Sequence, residues 1–134
     1  MFKKLEWDKK YEIGVKEIDL QHHYFIELIN RVSEELKQPI SEKYKNRLLD
    51  ELYKYAAFHF VSEENLMLKY NFPGFEQHFQ LHRELVNQLS HHAYLDTADE
   101  FLGFLTSWFL HHTLKEDKEI ARHILSHPNT SVQG

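Results

Sequence analysis

The chain has 134 residues, 42% hydrophobic and 14% aromatic, which is enough apolar material for a single packed domain, expected to span 1–134. It contains no cysteine, so disulfides, zinc ribbons and iron–sulfur clusters are excluded and any metal must be held by histidine and carboxylate. A formal net charge of -5 without a basic cluster argues against nucleic acid, and there is neither a secretory leader nor an apolar run of ~18 residues, so we expect a cytoplasmic monomer without a membrane partner.

Residues 1–18, interrupted by Gly14, read as an extended arm in which no helix is needed and whose Trp7, Tyr11, Ile13 and Val15 pack along a bundle. Asp19 is a good N-cap residue, and from it a first helix carries His22, Phe25, Ile26, Ile29, Val32 and Leu36 on one stripe until Pro39 ends it. Ser41 and Glu42 start a long second helix, about 41–69, with Leu48, Leu52, Tyr55, Ala56, His59, Glu63, Leu66 and Met67 along its apolar face. Asn71, Pro73 and Gly74 supply turn chemistry, and a third helix, about 74–93, follows with Phe75, His78, His82, Leu85, Val86 and Leu89. Asp96 and Thr97 cap a fourth helix whose stripe is Phe101, Phe104, Leu105, Trp108, Phe109 and His112, and residues 116–125 continue as a further helical turn or two.

Two four-residue spacings dominate this pattern, His59 to Glu63 and His78 to His82. Four residues turn a helix through about 400°, so each pair projects from one face on successive turns and two donors can converge on one ion. Either pair alone is weak evidence, since such spacings also occur on solvated faces. Four amphipathic helices with short loops favour an all-α, antiparallel up-down-up-down four-helix bundle, however, and this topology brings the starts of the first and third helices to the same end as the finishes of the second and fourth. His22, His59, Glu63, His78, His82 and His112 then share one layer inside an apolar core, which would cost several kcal/mol unless a metal satisfied them. His23 and His111 fall on polar faces and read as exposed or bordering, and His91, His92, His123 and His127 as surface residues.

At this point the chain resembles the hemerythrins, and among them the single-domain bacteriohemerythrins, over nearly its whole length. The resemblance is carried by Trp7, Gly14-Val15, Ile18 to His22, His59-Phe60, Glu63-Glu64, Met67, His78, His82, His112 and Asp117. It implies two iron ions bridged by oxo or hydroxo, Glu63 and Asp117, with His78, His82 and His112 on one iron and His22 and His59 on the other. The second iron would keep an open position for dioxygen, in a pocket formed by Phe25, Ile29, Tyr55, Phe109 and Thr113. The implied function is reversible dioxygen binding for storage, transport or delivery, without catalysis. The alternatives are oxygen or iron sensing, and reduction of peroxide or nitric oxide on the same centre. A ferritin-like oxidase is disfavoured because no Glu-x-x-His occurs. Asp117 comes from the resemblance and not from periodicity: it stands five residues beyond His112, about 140° off axis on a regular helix, so the helix must distort or end there for both to bind.

Overall fold

Four apolar stripes can be buried together only if their helices pack side by side, and the computed structural model has this arrangement. It describes residues 5–95 and 97–126, with the side chains of 93–95, 113 and 114 excepted, so Asp96 and His127 lie outside the described residues. The elements are α1 (Lys16–Leu36), α2 (Glu42–Lys69), α3 (Phe75–Leu95), α4 (Ala98–His111) and α5 (Asp117–Ser126), with a five-residue π turn from His112 to Glu116 between the last two. Each of α1 to α4 packs on the next, and α4 closes the ring against α1. The directions alternate: Gln21 near the start of α1 bonds Ser62 late in α2, whereas Arg31 further along α1 pairs with Glu51 earlier in α2.

The helix ends follow local chemistry. Ser41 Oγ accepts from the Tyr44 amide at the start of α2, and Thr97 forms a reciprocal capping box with Glu100 at the start of α4. At the end of α2, Asn71 adopts a left-handed φ of 53°, the Phe72 amide reaches the Met67 carbonyl and the Asn71 amide reaches that of Leu68. This is a Schellman stop, and it reverses the chain within a few residues so that α3 runs back along α2.

The arm differs from expectation at two places. A 3₁₀ turn at Lys9–Tyr11, capped by Asp8, replaces a purely extended path, and α1 begins at Lys16, three residues before the expected cap. Asp19 lies inside the first helical turns because its carboxylate is used elsewhere: it accepts from the Ile13 and Gly14 amides and ties the arm to the helix. Gly14 has φ +96°, so the bend favours glycine, and a Cβ there would also meet the Leu125 Cδ1 of α5 at 3.1 Å, close enough that this side chain would have to shift. As expected, Tyr11, Ile13 and Val15 are buried, and Trp7 packs against the core from its edge.

The core has two parts. The larger is built from Phe25, Ile29, Val32, Leu48, Leu52, Phe101, Leu105, Phe109 and their neighbours, and fills the bundle. The smaller, with Ile13, Val15, Ile18, Met67, Ile120, Ala121 and Ile124, lies under the arm and α5. His123 departs from the expected surface position: it is half-buried, and its Nε2 meets the Tyr70 carbonyl at 2.7 Å, linking α5 to the end of α2. His23 and His91 are exposed as expected, His23 against the Trp7 ring. No helix among the described residues is long and apolar enough to cross a membrane.

Candidate metal centre

Between the two parts of the core lies a layer of polar side chains. His22, His59, Glu63, His78, His82, His112 and Asp117 are each buried, with at most 6% of their surface exposed. All five imidazoles turn Nε2 inward. Glu63 and Asp117 each divide their two oxygens between two groups of histidines. Glu63 Oε1 lies 3.1 Å from His82, 3.4 Å from His112 and 3.7 Å from His78, while Oε2 lies 3.3 Å from His59 and 3.9 Å from His22. Asp117 repeats the division: Oδ1 faces His112 at 2.9 Å and His78 at 3.5 Å, and Oδ2 faces His22 at 2.9 Å and His59 at 3.7 Å. The result is two adjacent groups of donors, Glu63 with His78, His82 and His112, and His22 with His59, Glu63 and Asp117.

The backbone explains how Asp117 joins this layer. On a regular helix it would face away from His112, but in the π turn its amide bonds the His112 carbonyl five residues earlier, and the wider turn carries Asp117 round to the same face. The distortion expected from the five-residue spacing is this turn.

The donors suit a cation. His78 Nε2, His112 Nε2, Glu63 Oε2 and both Asp117 oxygens are buried without a hydrogen-bond partner, a cost that a metal ion in each group would remove. Imidazole and carboxylate without thiolate is a donor set for divalent first-row metals. The family model of the hemerythrin HHE cation binding domain matches residues 13–124, from the arm to α5, and includes all seven of these side chains. The chain belongs to the hemerythrin family. It is similar to a bacteriohemerythrin of Stenotrophomonas maltophilia, 26% identical over 93% of this chain and 84% of the relative. It is also similar to a bacteriohemerythrin of Clostridium acetobutylicum, 25% identical over 84% and 95%. A myohemerythrin of Riftia pachyptila is 28% identical over 79% and 82%.

Around the hemerythrin donor layer the rings are held by stacking and by hydrogen bonds. Phe60 stacks on His82 with centroids 4.3 Å apart, Trp108 stacks on His112 at 5.5 Å, and Phe109 sets its edge against His22 at 5.4 Å. His59 Nδ1 lies 2.8 Å from Gln21 Oε1, and His82 Nδ1 lies 2.8 Å from Glu64 Oε2. Sequence reasoning counted Gln21 and Glu64 among the residues that carry the resemblance but gave them no role as partners of the histidines, because both flank the stripes and no periodicity marks them.

Of the expected pocket residues, Phe25, Ile29 and Phe109 are fully buried, and Phe25 meets Phe109 edge to face at 5.4 Å. The half-buried Tyr55 donates its hydroxyl to the Gln21 carbonyl at 3.0 Å. Burial, reinforced by Tyr24, pushes that phenol up to about 12. The Thr113 side chain lies outside the described residues.

Charge is strongly redistributed when no metal is bound. Burial disfavours the charged forms of His22, His59, His78 and His112, yet for the last three the two carboxylates outweigh it and hold His59 and His78 at about 9 and His112 at about 10. For His22 burial prevails, aided by neighbouring His59, and its value is lowered. Burial raises both carboxylates, and Glu63 raises Asp117 further, but the histidines outweigh this and hold Glu63 and Asp117 well below the usual carboxylate range. Metal-free, the layer is therefore a compact set of ion pairs in which protons occupy places suited to metal.

Proposed function

We propose that the protein binds dioxygen reversibly at a di-iron centre. In this reading His78, His82 and His112 would hold one ion, His22 and His59 would hold the other, and Glu63 and Asp117 would serve both. The observation that carries it is the divided pair of carboxylates: Glu63 turns one oxygen toward His78, His82 and His112 and the other toward His22 and His59, and Asp117 turns one toward His78 and His112 and the other toward His22 and His59. Unequal histidine numbers leave the second position with fewer protein donors and room for an exogenous ligand. When bound, a pair of ferrous ions supplies the electrons and the open position that reversible dioxygen binding requires.

The chain's own residues favour a carrier over a catalyst. Phe109 against His22, with Phe25 packed on Phe109, surrounds the two-histidine side with apolar rings that exclude water. Repeated cleavage of dioxygen, peroxide or nitric oxide requires a proton donor within hydrogen-bond reach of the reacting atoms. The phenol among the expected pocket residues, Tyr55, commits its proton to the Gln21 carbonyl and is too weak an acid to release it readily.

The test is oxygen uptake and recovery by electrode on the reduced, iron-loaded protein, with absorption spectra alongside. Dioxygen should be returned when its pressure falls, over repeated cycles and with little net use of reductant. Sustained reductant-dependent consumption well above about one turnover per minute, a rate a slow side reaction would not reach, would replace carriage with catalysis.

A further inference from the structure

The two donor groups differ beyond their count of histidines. Each contains one imidazole whose outer nitrogen meets a side-chain acceptor at 2.8 Å, but the acceptors differ in charge: on the three-histidine side His82 meets the Glu64 carboxylate, and on the two-histidine side His59 meets the Gln21 amide. Both contacts reach between helices, α1 to α2 for Gln21 and α2 to α3 for Glu64. Both also leave Nε2 as the inward atom. The Gln21 amide is itself oriented, because its Nε2 donates to Ser62 Oγ at 2.8 Å and so turns Oε1 toward His59. Glu64 is held by no such partner among the described residues except His82. Its side chain is 16% exposed and borders a groove of about 280 Å³ between α2 and α3, lined also by Phe60, Val61, His82 and Arg83.

An acceptor on Nδ1–H fixes the tautomer and raises the basicity of the opposite nitrogen, and an anionic acceptor does so more strongly than an amide. We infer that Gln21 and Glu64 are positioning residues that make the two metal positions unequal, so that metal loads in order, first beside His78, His82 and His112 and then beside His22 and His59. Glu64 strengthens the first position through His82. Gln21 orients His59 without adding charge and keeps the second position the weaker. An uncharged acceptor there also leaves the exchangeable position less electron-rich than its neighbour. The inference rests on the metal-centre reading and is independent of whether iron or dioxygen is the physiological occupant.

The experiment is an anaerobic titration of the metal-free full-length chain with Co²⁺ alone, followed by its visible absorption and by calorimetry. Wild type should bind two ions in two resolved steps. Changes to outer partners of metal ligands typically alter affinity by about 10–100-fold, and that range sets the expected size. Gln21→Glu should tighten the second step by about tenfold or more and leave the first unchanged. Glu64→Gln should weaken the first step by a similar factor. Ser62→Ala, a milder change that frees the Gln21 amide to turn away, should weaken the second step alone, and it keeps the test open if a charge change impairs folding. Both steps moving together, both constants staying within about twofold of wild type in all three variants, or wild type taking up both ions in one step would overturn the inference. Failure of the wild type to bind Co²⁺ at all would instead defeat the metal-centre reading itself.

Discussion

Raising the pH of the metal-free protein should unfold it, because three histidines that are neutral in an unfolded chain above about pH 6.5 are kept protonated in the folded one. His59 and His78 are held at about 9 and His112 at about 10. A histidine whose value is raised on folding contributes stability that is complete below its unfolded value and is lost as pH rises through its folded one, so the window runs from about 6.5 to about 9–10. Within it the folded state binds up to three more protons than the unfolded state. At about 1.4 kcal/mol per proton and pH unit this gives a slope of up to about 4 kcal/mol per unit, so two units remove most of the ~5–15 kcal/mol that holds a typical domain together. His22, whose value is lowered, acts oppositely: its neutral form is favoured by the fold, so its penalty appears only below about 6.5. Glu63 and Asp117, both lowered, contribute stability that is present above the ordinary carboxylate range and lost only in strong acid. Metal must displace the same protons, so loading at pH 7 should release about three per chain and abolish the alkaline loss. Thermal melts by circular dichroism at pH 6.5, 7.5 and 8.5, with and without metal, and calorimetric titration in two buffers of different ionisation heat test both parts. A metal-free melting temperature that does not fall across this range, together with no proton release, would refute the reasoning.

Three further outcomes are expected. Glu63→Ala or His82→Ala should reduce the iron content below two per chain by elemental analysis, because each removes a donor from the layer; a single zinc held by His78 and His82, indifferent to His22 and Asp117, would contradict the di-iron proposal. Gly14→Ala should lower stability by about 1–2 kcal/mol in urea titrations, since its backbone is left-handed and its Cβ would press on Leu125, and a change below about 0.3 kcal/mol would show that the arm relaxes freely. Tyr55→Phe should cost about 1 kcal/mol, from its hydrogen bond to the Gln21 carbonyl, and leave dioxygen recovery unchanged; faster decay or altered turnover in this variant would give Tyr55 a chemical role.

Much of the centre was legible in the amino-acid order because a metal site on helices obeys helical spacing. His22, His59, Glu63, His78, His82 and His112 lie on the apolar stripes, and the caps at Ser41 and Thr97, with the stop at Asn71, delimit helices whose alternating directions bring these residues to one end of the bundle. Asp117 did not follow from spacing, because a five-residue step is out of phase with a 3.6-residue period; the resemblance supplied the residue, and the π turn explains how the backbone accommodates it. Asp19 misled for a related reason. Its type suits an N-cap, but its carboxylate satisfies amides of the arm, and such competition between local and distant partners cannot be read from one residue's preference. The division of the carboxylate oxygens and the different acceptors behind His59 and His82 were decided only by the tertiary structure. They are contacts between helices, separated along the chain by turns whose geometry the amino-acid order constrains only loosely, and a rotation of any helix by a fraction of a turn would have assigned those atoms other partners.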